Sequence, residues 1–137
     1  MQQTQVQHGE FELSVSGNIL IAHLIGGWNK EAALAFDREF RIAAEPLLAD
    51  DWGHLVFLDD WSLGVPEMIP IIEDLVQWCV INGLKRAAHV YSPSMLKQMQ
   101  ANDMVAEQLG DFQRCAFRDK ESALAWLAQQ QFTLGQS

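Results

Sequence analysis

Two adjacent carboxylates, Asp59 and Asp60, followed at once by Trp61 and Ser62, come nearest in this chain to residues that could do chemistry. They follow the apolar run Leu55-Val56-Phe57-Leu58 and precede Gly64, Val65 and Pro66. Paired carboxylates can hold Mg²⁺ or Ca²⁺, and a hydroxyl just before a helix can carry a phosphate. If strand geometry ran on through the pair, however, Asp59 and Asp60 would point to opposite faces and could not chelate one ion. No metal site is expected on that ground. His23 sits inside an apolar run without Cys, His or Asp at ligand spacing, and reads as a packed or edge histidine. Ser62 lacks a G-x-S-x-G elbow, and there is no Gly-rich phosphate loop and no H-E-x-x-H. No catalytic residue and no cofactor is expected.

The elements that must position these residues are legible in the periodicity. Phe11, Leu13 and Val15 alternate with Glu12, Ser14 and Ser16, the period of a half-exposed strand. After the turn at Ser16-Gly17-Asn18, residues 19–25 return as a more apolar strand, which leaves the first at an edge. Asn29 caps a helix with the stripe Ala33, Phe36, Phe40, Ala43 and Leu47, which Pro46 ends or kinks. Leu55 to Leu58 read as a central strand covered on both faces. A second helix starts near Pro66, carries Met68, Ile71, Ile72, Leu75, Val76 and Cys79, and stops at Asn82-Gly83. Pro70 must either restart it or leave a carbonyl unpaired.

Residues 87–91 form the next strand, and Ser92-Pro93 opens a helix that runs to Leu109 with Met95, Met99 and Met104 along it. Residues 112–117 are the last strand, and Asp119 caps a short helix bearing Ala123, Leu124, Trp126 and Leu127. The expected fold class is α/β, order ββαβαβαβα. It has a mostly parallel five-stranded sheet, an antiparallel N-terminal edge strand, and one domain over residues 1–137 with its core at about 10–128. Residues 1–5 and 135–137 are expected to fray. In such sheets sites gather beyond the carboxyl ends of the strands. The candidate partner- or ligand-binding residues are therefore Trp28, Asp59, Asp60, Trp61, Ser62, Glu67 and Ser92.

The net charge of −9 is unevenly spread. Residues 42–84 hold no Lys or Arg but eight acids: Glu45, Asp50, Asp51, Asp59, Asp60, Glu67, Glu73 and Asp74. The other ten acids nearly balance the nine basic residues. Nucleic acid, which needs clustered cations, is excluded as a partner, and a basic protein partner fits the acidic segment. No apolar run approaches the ~20 residues of a membrane span, and residues 1–9, polar and without a basic start, are not expected to be a signal peptide. Cys79 and Cys115 read as reduced core thiols, so a cytoplasmic location is expected. The second helix is apolar beyond one stripe, through Trp78 and Ile81, which leads to an expected homodimer.

The loop Asp59-Asp60-Trp61-Ser62-Leu63-Gly64-Val65, the continuation Pro66-Glu67-Met68-Ile69-Pro70, Trp78, Asn82-Gly83-Leu84 and residues 117–127 together resemble the SpoIIAA-like proteins of the STAS superfamily (sulfate transporter and anti-sigma-factor antagonist domains). The resemblance spans about residues 10–128. It implies a β–α superhelix and a non-enzymatic, regulatory role in protein interaction through the acidic loop and the helix after the central strand. In the anti-sigma antagonists a serine at the start of the second helix is phosphorylated. Here the family's Asp-Ser-Ser-Gly step is replaced by Asp59-Asp60-Trp61-Ser62, so Ser62 is displaced and acids already occupy the neighbourhood. Repulsion from Asp59, Asp60 and Glu67, on the order of 1 kcal/mol each, outweighs the ~0.3–1 kcal/mol a helix dipole offers a phosphate. Ser62 is not expected to act as a phospho-switch. Because related folds include lipid carriers, the alternative function is a carrier or sensor of a small apolar or amphipathic ligand at the carboxyl rim. A metal-dependent hydrolase built on Asp59 and Asp60 is the remaining rival.

Overall fold

The computed structural model describes residues 8–62, 65–91 and 107–135. Strand β1 (Glu10–Ser16) pairs antiparallel with β2 (Ile19–Gly27), and β2 runs parallel to β3 (Trp52–Phe57). β3 in turn pairs parallel with β5 (Leu84–Val90), and β5 with β7 (Phe112–Phe117). These are the five strands expected. Two short strands add to them: β4 (Trp61–Ser62) pairs with the end of β2, and β6 (Gln108–Leu109) pairs antiparallel with β7. The sheet order is β1-β2-β3-β5-β7-β6, with antiparallel strands at both edges.

β6 corrects the expected helix end at Leu109. Leu109 faces Phe112 across a two-residue turn whose first residue, Gly110, has φ +60°. Gly at that position favours a type II′ hairpin, and its φ supports pairing back on β7. Ser92, Met95, Met99 and Met104, assigned to that helix, lie outside the described residues.

Helix α1 (Lys30–Ala44) starts as expected: Asn29 Oδ1 accepts the N–H of Ala32 at 3.0 Å, and the N–H of His8 also reaches it. Pro46 ends the α-helix in a 3₁₀ turn, Glu45–Leu47. The two prolines before the second helix are resolved as a restart. Pro66–Met68 form one 3₁₀ turn, and α2 (Ile69–Ile81) begins anew with Pro70 in its first turn, where a missing N–H is harmless. Gly83 follows α2 at φ +102°, and a Cβ there would stand 2.8 Å from the Asp50 carbonyl oxygen, so only glycine fits. Helix α3 (Lys120–Gln129) is capped by Asp119, which accepts the Ser122 N–H at 2.7 Å; that bond holds the carboxyl below its usual pKa. None of these helices is long and apolar enough to cross a membrane.

α1 and α2 cover one face of the sheet, and α3 the other. Along β2, Leu20, Ala22 and Leu24 face α1 and α2 while Ile19 and Ile21 face α3, so this strand is apolar on both sides. α2 itself is loosely covered: Leu75 and Cys79 are buried, but Ile81 is 82% exposed. Trp78 is half-buried with the Arg41 guanidinium 5.1 Å above its ring, and Arg41 also pairs with Asp37 and Asp74. Cys79 and Cys115 are unpaired; Cys79 is buried and Cys115 only half-buried.

The ordered core runs past residue 128, and Gly135 is held in place. Phe132 is buried, with its Cβ and Cγ 3.1 Å from where a Gly53 Cβ would lie. Asn18 ties the segment to the β1–β2 turn, accepting the Thr133 N–H at 3.0 Å and donating to the Gln131 carbonyl at 3.2 Å. Ser16 Oγ accepts the Gly135 N–H at 3.0 Å. Phe132→Ala is expected to lower unfolding free energy by about 3–5 kcal/mol. Urea denaturation measures this, and a loss under 1 kcal/mol would mean that the segment is not part of the core.

Candidate functional site

The chain leaves β3 at Phe57 and turns within three residues. The Trp61 N–H donates to the Leu58 carbonyl at 3.2 Å, and the Gly26 N–H donates to the Asp60 carbonyl at 2.9 Å. This turn sorts the expected site residues into two groups. Asp59, Asp60 and Ser62 lie exposed outside, with Glu67 exposed on the adjoining 3₁₀ turn. Trp28 and Trp61 lie inside, 3% and 1% exposed, ring centroids 6.3 Å apart and edge to face. The tryptophans are thus not surface contacts for a partner; they close the end of the core beneath the acidic loop.

The turn also overturns the argument that Asp59 and Asp60 must diverge. Alternation applies only while the strand continues, and residues 59 and 60 belong to a turn. Ligand-type atoms of His23, Asp59 and Asp60 all fall within 4.8 Å of one another, and His23 Nε2 is 2.9 Å from Asp60 Oδ2. His23, set aside in the sequence, therefore belongs to the rim. All three remain partly or fully exposed, and the His23–Asp60 hydrogen bond accounts for their approach.

Beneath the loop, between the sheet and helices α1 and α2, lies a cavity of about 80 Å³, partly open to solvent. Its walls are apolar: Trp28, Phe36, Phe40, Val56, Leu75 and Ala87 are among them, and among the described residues no Asp, Glu, Lys or Arg is. Two histidines enter it from neighbouring parallel strands, His54 on β3 and His89 on β5. Both stay neutral. Burial pushes His54 down to about 4, opposed by its bond to the Leu20 carbonyl. That carbonyl only accepts, so His54 Nδ1 carries the proton of the 2.8 Å bond. Burial lowers His89 well below its ordinary range, helped by the Arg114 guanidinium and by His54.

Among the described residues, the buried side-chain nitrogens without a hydrogen-bond partner are Trp61 Nε1 and His89 Nδ1, and both residues line this cavity. The other core indoles nearby are satisfied: Trp28 Nε1 donates to the Glu10 carbonyl at 3.2 Å and Trp52 Nε1 to Asn82 at 2.9 Å. The histidines carried no sequence signal beyond lone polar positions in apolar strands. Only strand register sets His54, Val56, Ala87 and His89 on one face.

Among solved structures, this chain is similar to an uncharacterized protein of the DUF3478 family with a SpoIIAA-like fold from Shewanella loihica PV-4. The two share 15% identity at a TM-score of 0.61, over 93% of this chain and 99% of that one. The fold is SpoIIAA-like, as the sequence resemblance implies. No family model matches the chain, and no curated protein matches it.

Buried neutral histidines make stability fall with acid. An unfolded histidine titrates near 6.5, so below that pH the unfolded chain binds protons that the folded chain refuses until about pH 4. The stability is intact above pH 6.5. His54 alone is expected to remove about 2 kcal/mol between pH 7 and 5, and His89 acts in the same direction. Urea midpoints at the two pH values measure this, and a flat profile would place both imidazoles in water.

Proposed function

We propose that this protein is a non-enzymatic binding module that holds a small apolar ligand between its sheet and helices α1 and α2. One observation carries the reading. The cavity is lined almost wholly by apolar side chains, and two of its lining residues, Trp61 and His89, carry buried nitrogens with no hydrogen-bond partner among the described residues, whereas the Trp28 and Trp52 indoles are satisfied. Buried polar groups are ordinarily paired, and each unpaired one costs about 1–3 kcal/mol. Concave, mostly apolar sites with a few convergent polar groups are where small ligands bind.

The volume limits the ligand. A cavity of about 80 Å³ is roughly half the ~150 Å³ of an engineered cavity that admits benzene. It suits a molecule of a few heavy atoms, or a longer one if α2, which buries only Leu75 and Cys79, shifts outward. Saturating n-pentane is expected to raise the thermal midpoint in a concentration-dependent way, as any ligand selective for the folded state must. Ala87→Leu, which adds atoms inside the cavity, should diminish the rise. If neither n-pentane nor a short-chain alcohol shifts the wild-type midpoint, the reading is wrong.

A second reading is compatible with the first and concerns the outside of the same loop. Asp59, Asp60 and Glu67 are exposed, and they belong to a segment, residues 42–84, that holds eight acids and no Lys or Arg, which favours a basic protein partner in the cytoplasm. In a pull-down from native lysate, Asp59→Asn with Asp60→Asn is expected to lose partners that Ser62→Ala retains. The reverse pattern would make Ser62 a phospho-switch.

A further inference from the structure

On the outside of the turn after β3, an imidazole and two carboxylates from separate elements converge. His23 comes from β2, and Asp59 and Asp60 come from the turn itself. One ligand-type atom of each lies within 4.8 Å of the other two. The backbone beneath them is fixed without any ion. His23 stands opposite Phe57 in the parallel register of β2 and β3, and the Asp60 carbonyl accepts the Gly26 N–H at 2.9 Å. The His23 ring packs against the Phe57 ring, centroids 5.7 Å apart. In the chain without a metal, the His23–Asp60 hydrogen bond keeps two of the three donors together.

The donor types select the ion. Mg²⁺ and Ca²⁺ take oxygen ligands, whereas an imidazole beside carboxylates suits Zn²⁺ and its neighbours in the first transition row. Two carboxylates and a neutral imidazole carry two negative charges, which balance a divalent cation. Around tetrahedral Zn²⁺, bonds of ~2.0–2.2 Å put the ligand atoms ~3.3–3.6 Å apart. His23 Nε2 and Asp60 Oδ2, at 2.9 Å, need part only slightly, and Asp59 closes in by turning an exposed side chain. A carboxylate only accepts, so Nε2 carries the proton of the 2.9 Å bond. Coordination puts the metal in place of that proton, and the neutral ring keeps its hydrogen on Nδ1. We propose that His23, Asp59 and Asp60 bind one divalent ion of the Zn²⁺ type through three protein ligands, with water completing its coordination.

Calorimetry with ZnCl₂ alone, in a buffer free of chelators, is expected to give one Zn²⁺ per chain. Groups that merely support a metal ligand from behind are worth about 10–100-fold in affinity. His23→Ala, Asp59→Asn and Asp60→Asn, which each remove a direct ligand, should therefore weaken binding at least about tenfold. Glu67→Gln takes the same charge from the adjoining exposed turn without taking a ligand, and is expected to cost no more than about fivefold. In nitrogen-15 NMR of the wild type at neutral pH, Zn²⁺ is expected to shift the His23 Nε2 resonance while Nδ1 keeps its proton. That measurement needs no variant to fold.

No binding of Zn²⁺ up to millimolar concentration would overturn the site. So would binding that His23→Ala leaves intact, or a His23 spectrum that the ion does not move, since either places Zn²⁺ elsewhere. A loss in Glu67→Gln as large as in Asp59→Asn would make the attraction one of diffuse charge and overturn coordination. Undiminished binding in Asp59→Asn would leave a two-ligand contact of His23 and Asp60 and overturn the three-ligand site. The cavity and its n-pentane test are decided separately, because His23, Asp59 and Asp60 are not part of its lining.

Discussion

The Gly26 N–H donates to the Asp60 carbonyl at 2.9 Å just as the Trp61 N–H closes onto Leu58, and these two bonds fold the end of the central strand back over the core. The consequence is a loop with two unlike sides. Asp59 and Asp60 are left exposed on the outside, Asp60 against His23, while the Trp61 indole goes in against Trp28. An indole that deep buries a large apolar area at the cost of hiding an N–H. The loop thus supplies both features on which the functional reading depends, an acidic rim and the closed end of a cavity.

How the core treats its other polar atoms gives the cavity its significance. Trp52 fixes the end of α2 by donating to Asn82 from its ring and to Gly83 from its backbone, and His54 fixes β2 by donating to Leu20. Each of these bonds joins two elements. Among the described residues the Trp61 and His89 nitrogens join nothing, although they lie in the same layer between the sheet and the helices. Such groups persist in a folded chain when packing elsewhere holds them. α2 is the natural place for yielding. Most of its apolar side chains are half-buried, and Arg41, bonded to Asp37 and Asp74, lies across Trp78.

Much of the fold was legible in the sequence because its signals are local. Alternation in β1, the caps at Asn29 and Asp119, the proline restart before α2 and the left-handed Gly83 each depend on a few neighbouring residues. The structure places each where those neighbours require it. The hairpin at Gly110 was local too, but a polar stretch with helical spacing competed with it, and its two strand residues are few. The SpoIIAA-like order followed from the same local signals, with the loop residues adding the family resemblance.

What only the tertiary structure decided are the meetings between distant residues. His23 and Asp60 are 37 positions apart and come together because β2 and β3 lie parallel and end at the same rim. Asn18 holds a segment more than a hundred residues away. The cavity needs residues from β2, β3, β5, α1 and α2 at once. A sequence states which residues are apolar and where turns fall, since those follow from each residue and its neighbours. Which nitrogen is left unpaired in the core depends on the register of strands drawn from separate βα units, and that is settled only when the units pack.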